Sequence, residues 1–105
     1  VDYAWYKSNS ERKTHKVGEK HSNSFGLYDM SGNVWEFCWN FYTSTYDETI
    51  EGGVDPTGAI SGVSRIARGG DFKGSSVNCS VTYRFSTTLG KRYYYVGFRV
   101  VRSAE

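Results

Sequence analysis

The sequence predicts an α+β domain that is rich in strands and loops and contains very little helix. Helical periodicity, in which apolar residues recur at every third and fourth position, is nearly absent from the 105 residues. Alternation with a period of two occurs instead, and glycine- and serine-rich turns bound it. The alternating segments are residues 32–41, 63–67, 79–85 and 93–102.

The first of these segments, GNVWEFCWNF, has the most regular pattern. Trp35, Phe37, Trp39 and Phe41 occupy every second position. Successive side chains of a strand point to opposite faces, so the four rings share one face. We expect a strand or an extended core segment here.

A long loop is predicted at residues 43–62, which are rich in Gly, Thr and acidic residues and contain the only proline, Pro56. Loops longer than about 12–15 residues are uncommon in compact domains and are usually functional.

Composition favours recognition within one domain. Hydrophobic residues make up 38% of the chain and aromatic residues 17%, with nine tyrosines. Tyrosine provides a large contact area at low entropic cost, as in antibody-type binding surfaces. The length fits a single hydrophobic core.

Charge is unevenly distributed along the chain. Residues 1–59 carry five basic and nine acidic side chains, whereas residues 60–105 carry eight basic and two acidic ones. A basic half suggests nucleic acid as a partner. Pairing with the acidic half explains the arginines equally well, so we expect no nucleic acid. No apolar stretch approaches the roughly 20 residues of a membrane span.

A dense motif occupies residues 23–37, NSFGLYDMSGNVWEF. It resembles the signature N-x-F-G-L-Y-D-M-x-G-N-V-W-E-W. Residues 55–58 (DPTG), 65–72 (RIARGGDF) and 97–101 (GFRVV) resemble D-P-x-G, R-x-x-R-G-G-S-W and G-F-R-x-V in the same order. The chain is thereby similar to formylglycine-generating enzymes and sulfatase-modifying factors.

This resemblance implies a C-type-lectin-like fold of the formylglycine-generating-enzyme subtype. Family members have over a hundred further residues upstream. Residues 1–105 are therefore expected to be the C-terminal part of such a domain, without the family's N-terminal part.

The resemblance also bears on catalysis. In catalytic members a cysteine pair after G-G-S-W binds copper and oxidises a substrate cysteine. Gly74 replaces the first cysteine here, and Cys79 remains. One thiolate is too few for that copper chemistry, so we expect no enzyme. Related sulfoxide synthases hold iron with histidines, but His15 and His21 have no ligand spacing and are expected to be solvated.

Within the family, the chain most resembles variable proteins of diversity-generating retroelements. Their template resembles R-G-G-S-W-N-N-N-A-x-N-C-R-x-A-N-R-N-N-N-N-P-x-x-R-N-N-N-I-G-F-R-x-V, and adenine-directed mutagenesis randomises its Asn codons. The fixed letters match Arg68, Gly69, Gly70, Cys79, Arg84, Arg92, Gly97, Phe98 and Arg99. Asp71, Phe72 and Leu89 depart from the pattern, and Lys73 and Lys91 are not reachable by adenine changes alone.

This resemblance implies that residues 68–101 form a variable region. Its Asn letters fall on residues that adenine changes in an Asn codon can produce: Ser75, Tyr83, Phe85, Ser86, Thr87, Thr88, Gly90, Tyr93, Tyr94 and Tyr95. We expect them to be solvent-exposed and to bind a protein or glycan ligand, because a rigid scaffold tolerates variation on its loops.

The implied function is ligand display at a cell surface, as a lipoprotein, or at a virion surface, with any export signal outside this chain. Two alternatives stay open. One is a sulfatase-modifying-factor-type domain without diversification, in which the tyrosines belong to the scaffold. The other is a copper-dependent formylglycine-generating oxidase.

A structural calcium ion is a further implication of the resemblance. The corresponding ligands are the carboxylates of Asp29 and Glu36 with the carbonyls of Gly32 and Val34, and such oxygen sets suit calcium. The alternative is that Asp29 caps a turn and Glu36 pairs with an arginine.

Cys38 and Cys79 are the only cysteines. They allow one disulfide within the domain. The alternative is two buried free thiols beside the aromatic core.

Overall fold

The computed structural model describes residues 2–42 and 62–102. Most of the predicted loop at residues 43–62 therefore lies outside the described residues. Within them, two short parallel strands, β1 (Ala4–Trp5) and β2 (Ser31–Gly32), form one sheet, and a second sheet has the strand order β5-β4-β3-β6. Its strands are β3 (Trp35–Phe41), β4 (Ser64–Arg68), β5 (Phe85–Thr88) and β6 (Val96–Gly97).

The first alternating segment forms β3, which confirms the predicted strand. Trp35 is buried and anchors the core. The four rings are not equally buried, since Phe37 is 42% exposed and Trp39 76%. A register irregularity between Phe37 and Phe41 interrupts the pairing with β4. The guanidinium of Arg65 lies over the ring of Trp39 and partly covers it.

Strand β4 is central in the four-stranded sheet, with antiparallel neighbours on both sides. Its register pairs Ala67 with Phe85 and Ile66 with Ser86. Directly opposite residues in such a ladder share a face. Phe85 therefore lies on the Ala67 face of the sheet, and Ser86 lies on the other face.

The predictions of strands at residues 79–85 and 93–102 are largely wrong. Ser76–Cys79 is a 3-10 helix, followed by turns up to β5. In the last segment only Val96–Gly97 is strand, paired in parallel with β3. Alternation at Tyr93 and Tyr95 comes from ring packing rather than from a ladder of hydrogen bonds.

A tight junction at Gly32 and Asn33 holds three segments together. The N–H of Gly32 donates to the Gly69 carbonyl at 2.6 Å, and that of Asn33 donates to the Trp5 carbonyl at 2.7 Å. The N–H of Phe72 donates to the Asn33 carbonyl at 2.8 Å. Gly32 has φ +79 and lies against the Trp5 backbone, so a side chain is excluded there.

The N-terminal loop is more ordered than its polar composition suggests. His15 is half-buried and stacks on Trp5, with ring centroids 3.7 Å apart, and its Nε2 lies 2.7 Å from the Ser10 carbonyl. The expectation that His15 is solvated is therefore wrong, whereas His21 is exposed. Ser10 is fully buried, and its hydroxyl donates to the Phe72 carbonyl.

Candidate functional site

Aromatic rings of the predicted variable region form one connected cluster around Trp35. Phe85 stacks on Trp35 at 5.0 Å between centroids, and Tyr83 lies 5.8 Å from Trp35. Tyr95 lies 6.3 Å from Phe85 and continues the cluster outward. We call the set of Tyr83, Phe85, Tyr93, Tyr94 and Tyr95 the tyrosine cluster.

Tyr95 is the link between the core and the surface in this cluster. Tyr93 and Tyr94 contact it edge to face at 5.3 and 5.0 Å. Exposure rises along this path, since Tyr95 is half-buried and Tyr94 is 76% exposed. The carbonyl of Tyr95 also accepts from the N–H of Trp35. The three consecutive tyrosines therefore differ in how far they belong to the scaffold.

Tyr93 is fixed by its hydroxyl group. The backbone N–H of Thr88 donates to the phenol oxygen at 3.1 Å. This hydrogen bond lowers the pKa of Tyr93, since it stabilises the phenolate. Tyr93 thus ties the turn after β5 to the segment that leads into β6.

The structure removes Thr87 from the predicted ligand surface. Thr87 is 1% exposed, and its hydroxyl donates to the Arg65 carbonyl at 2.9 Å. Strand alternation explains this, because Thr87 and the half-buried Phe85 lie two residues apart and point to the same side. The expectation of solvent exposure is therefore wrong for Thr87, and Phe85 is only partly accessible.

The remaining predicted positions are exposed but do not all join the cluster. Ser86 and Thr88 are exposed on the face of β5 opposite Phe85. Ser75 is exposed next to the 3-10 helix, and Gly90 is exposed in a turn with φ +77. The structure thus brings the rings together, and it places Ser86 and Thr88 on the other face of β5.

Sequence reasoning missed the contribution of Lys73, which departs from the template. Its ammonium lies 3.6 Å from the ring centroid of Tyr95 and 3.3 Å from the Tyr94 hydroxyl. Asp71 is buried, and its carboxylate accepts from the N–H groups of Lys73 and Gly74. Asp71 and Lys73 both depart from the template. The two are structurally linked, because the Asp71 turn fixes the backbone from which Lys73 extends.

A second polar site lies at the predicted calcium ligands. Glu36 accepts two hydrogen bonds from Arg99, at 2.5 and 2.8 Å, and Arg99 also donates to the Asp29 carbonyl at 2.9 Å. Hydrogen bonding to Glu36 raises the pKa of Arg99 further. The structure therefore contains the alternative arrangement, in which Glu36 pairs with an arginine.

Asp29 caps a turn, as the same alternative states. One carboxylate oxygen accepts from the N–H of Gly18 at 2.8 Å, and the other is buried without a hydrogen-bond partner.

A pocket of about 470 Å³ adjoins Asp29, Gly32, Val34 and Glu36, the predicted calcium ligands. Both Glu36 oxygens bind the guanidinium of Arg99, so a calcium ion at Glu36 would have to displace that side chain. Within residues 2–42 and 62–102, no three metal-ligating side chains of the His, Cys, Asp or Glu type are grouped.

Both cysteines are free thiols. Burial raises the pKa of each, and the carboxylate of Asp71 raises that of Cys79 further. Cys79 packs close to Gly70, and Gly74 lies against Asn78 and Asp71. Cys79 is thus a single thiol here, and Gly74 stands where the sequence resemblance places a second cysteine.

Comparison with protein families identifies the domain type. A family model for the sulfatase-modifying factor enzyme 1-like domain matches residues 1–104. Formylglycine-generating enzyme of Thermomonospora curvata is 32% identical over 82 residues, which cover 73% of this chain and 27% of that protein. Chaperone protein LppX of Paenibacillus barcinonensis is 35% identical over 98 residues, which cover 90% of this chain and 30% of that protein. The chain spans less than a third of each.

Solved structures agree with this result. Treponema denticola variable protein 1 superposes with a TM-score of 0.82 at 41% identity, over 92% of this chain and 34% of that one. CarF superposes with a TM-score of 0.70 at 28% identity, over 100% of this chain and 34% of the other. These likenesses confirm the predicted fold and the resemblance to a variable protein.

Proposed function

Because the chain belongs to the sulfatase-modifying factor enzyme 1-like family and is 41% identical to a variable protein, we propose that it displays a variable ligand-binding surface. The ligand is a protein or a glycan on a target surface. Tyr94, with the accessible edges of Tyr83, Tyr93 and Tyr95, provides the contacts. Display at a cell or virion surface is part of the same proposal.

The observation that carries this proposal is the arrangement of the tyrosine cluster. Tyr94 is 76% exposed although it lies beside half-buried rings. A tyrosine held in this way offers a rigid ring and a hydroxyl at little entropic cost, which suits recognition. Ser86 and Thr88 are exposed small residues on the other face of β5, and residues of this kind add adaptable hydrogen bonds.

The structure narrows the proposed variable surface. Ser75, Tyr83, Ser86, Thr88, Gly90, Tyr93, Tyr94 and Tyr95 stay as ligand-binding positions within residues 68–101. Thr87 and Phe85 act on the scaffold side, because they face the core. Calcium at Asp29 and Glu36 stays a prediction, and an ion there would have to displace Arg99.

The first experiment is genetic. We expect the DNA near this coding region to contain a second copy of the segment for residues 68–101 that is rich in Asn codons. Differences between the copies should be confined to adenines of the template. If no such copy exists in the complete genome, the protein is a family member without diversification, and its tyrosines are scaffold.

Absence of catalysis is the second part of the proposal, and it is tested on the thiols. Since the pKa of Cys79 is raised, its thiolate fraction at neutral pH is smaller than that of a cysteine peptide. We expect iodoacetamide to alkylate Cys79 more slowly than the peptide at pH 7.5 and the rate to rise with pH. Fast alkylation, or tight binding of copper(I) that is lost in Cys79→Ser, would support the oxidase instead.

A further inference from the structure

A basic pocket lies beside the tyrosine cluster, and the variable-region hypothesis does not account for it. Its volume is about 660 Å³. Four of its lining residues are cationic and two are aromatic, and among the described residues none that line it is acidic. We call this the basic pocket: Lys7, Arg12, Lys13, Thr14, Phe72, Lys73 and Tyr94.

The pocket is lined by two parts of the chain, one inside the predicted variable region and one outside it. Tyr94 belongs to the predicted variable positions, whereas Lys7, Arg12 and Lys13 lie in the N-terminal loop, outside residues 68–101. Lys73 lies on the side of the predicted variable region, since its ammonium contacts the Tyr94 hydroxyl and the Tyr95 ring. One wall of the pocket is therefore constant, and the other changes with the variable surface.

The constant wall is held rigidly in place. The N–H of Lys7 donates to the Gly74 carbonyl at 2.9 Å, which joins the loop to the turn that carries Lys73. The buried Ser10 hydroxyl accepts from the N–H of Arg12 at 3.2 Å. Arg12 has φ +59, an unusual value for a residue with a side chain. The surrounding contacts thus fix the backbone at the edge of the pocket.

The cations of this wall have no acidic partner among the described residues. The ion pair found in residues 2–42 and 62–102 is that of Arg99 with Glu36, on another part of the molecule. Lys7, Arg12 and Lys13 are exposed. Clustered positive charge attracts an anionic group and favours its encounter with the protein.

We propose that the basic pocket binds carboxylates of an acidic segment on a partner protein, and that this contact is shared by variants with different tyrosine surfaces. The inference rests on the proposed function. A concave site of this size accepts a few side chains, whereas nucleic acid requires cations along an extended track. Tyrosines flanked by serine and threonine are typical of surfaces that bind proteins.

The test uses the full-length protein and a fluorescent oligoglutamate peptide, with anisotropy as the readout. Lys7→Ser with Lys13→Ser should weaken peptide binding by about tenfold, because two charge contacts are lost. The matched control is Lys16→Ser with Arg102→Ser, which removes the same charge from exposed positions that do not line the pocket. It should retain binding within about twofold. Thermal unfolding checks that both variants fold.

Equal weakening in both double variants would overturn the proposal, because binding would then depend on net charge alone. Failure of the peptide to bind would overturn it as well. Binding of a heparin oligosaccharide without binding of the peptide would assign the pocket to sulfated glycans and contradict the protein ligand. The Asn-rich template copy is independent of these results, so a failed pocket and a failed display function are distinguishable.

Discussion

Two regions of the molecule differ in how far their polar and aromatic groups are paired inside the domain. One is the site at Glu36 and Arg99, and the other is the tyrosine cluster. At the first site the guanidinium satisfies a carboxylate and the Asp29 carbonyl within the domain. At the second, the Tyr94 ring is 76% exposed, and the neighbouring Lys7, Arg12 and Lys13 are exposed as well. The groups of the first site are thus paired within the domain, whereas the predicted variable segment leaves groups exposed.

Motif residues of this domain hold the backbone of several segments together. Gly32 and Asn33 belong to the motif that resembles the family signature, and they join β1, β2 and the Gly69 turn. Because these contacts do not involve the rings of the tyrosine cluster, we expect its exposed member Tyr94 to tolerate substitution.

The largest effect is expected at the junction. Gly32→Ala places a Cβ against the Trp5 backbone, 2.7 Å from its nitrogen, at φ +79. We expect a loss of about 4 kcal/mol in the free energy of unfolding, or no folded protein. Gly26→Ala is the control, since Gly26 has φ +76 but nothing within 4 Å. It should cost about 1 kcal/mol, as measured by urea unfolding.

A smaller effect is expected for Arg99→Ala. The variant leaves Glu36 and the Asp29 carbonyl without their donors. We expect destabilisation of about 2 kcal/mol, since charge-assisted hydrogen bonds are lost but solvent partly screens the exposed groups. Arg102→Ala, at an exposed position, should change stability by less than about 0.5 kcal/mol. Equal effects of the two variants would remove the proposed difference between the regions.

The smallest effects distinguish two neighbouring tyrosines. Tyr95→Ala loses contacts to Phe85, Tyr93 and Tyr94 and should cost about 1.5 kcal/mol. Tyr94→Ala should cost less than about 0.5 kcal/mol, because its ring is 76% exposed. Thermal unfolding measures both. A larger loss for Tyr94→Ala than for Tyr95→Ala would place Tyr94 in the scaffold.

Much of the fold was predictable from the sequence where side-chain pattern and backbone pairing coincide. The alternation in residues 35–41 and 63–67 predicts β3 and β4, which lie at the centre of the sheet. In residues 79–85 and 93–102 the alternation reflects contacts to Trp35 and Phe85 instead. Ring packing and strand pairing both produce a period of two, so the pattern alone does not separate them.

The site was predictable in its rings and less so in its surroundings. Template matching identifies Tyr93, Tyr94 and Tyr95, but it treats every Asn letter alike and therefore includes the buried Thr87. Strand alternation, applied to Phe85 and Thr87, indicates that both face the core. The basic pocket depends on a contact between Lys7 and Gly74, and no short-range pattern predicts such a contact.

The most direct test of the central claim is a library in which each predicted variable codon is replaced in turn by all adenine-derived alternatives of an Asn codon. Protease resistance measures folding at each position without knowledge of the ligand. We predict wide tolerance at Ser75, Ser86, Thr88 and Tyr94 and intolerance at Thr87, with Trp35 as the buried reference. Intolerance at the exposed positions equal to that at Trp35 would contradict a variable ligand surface.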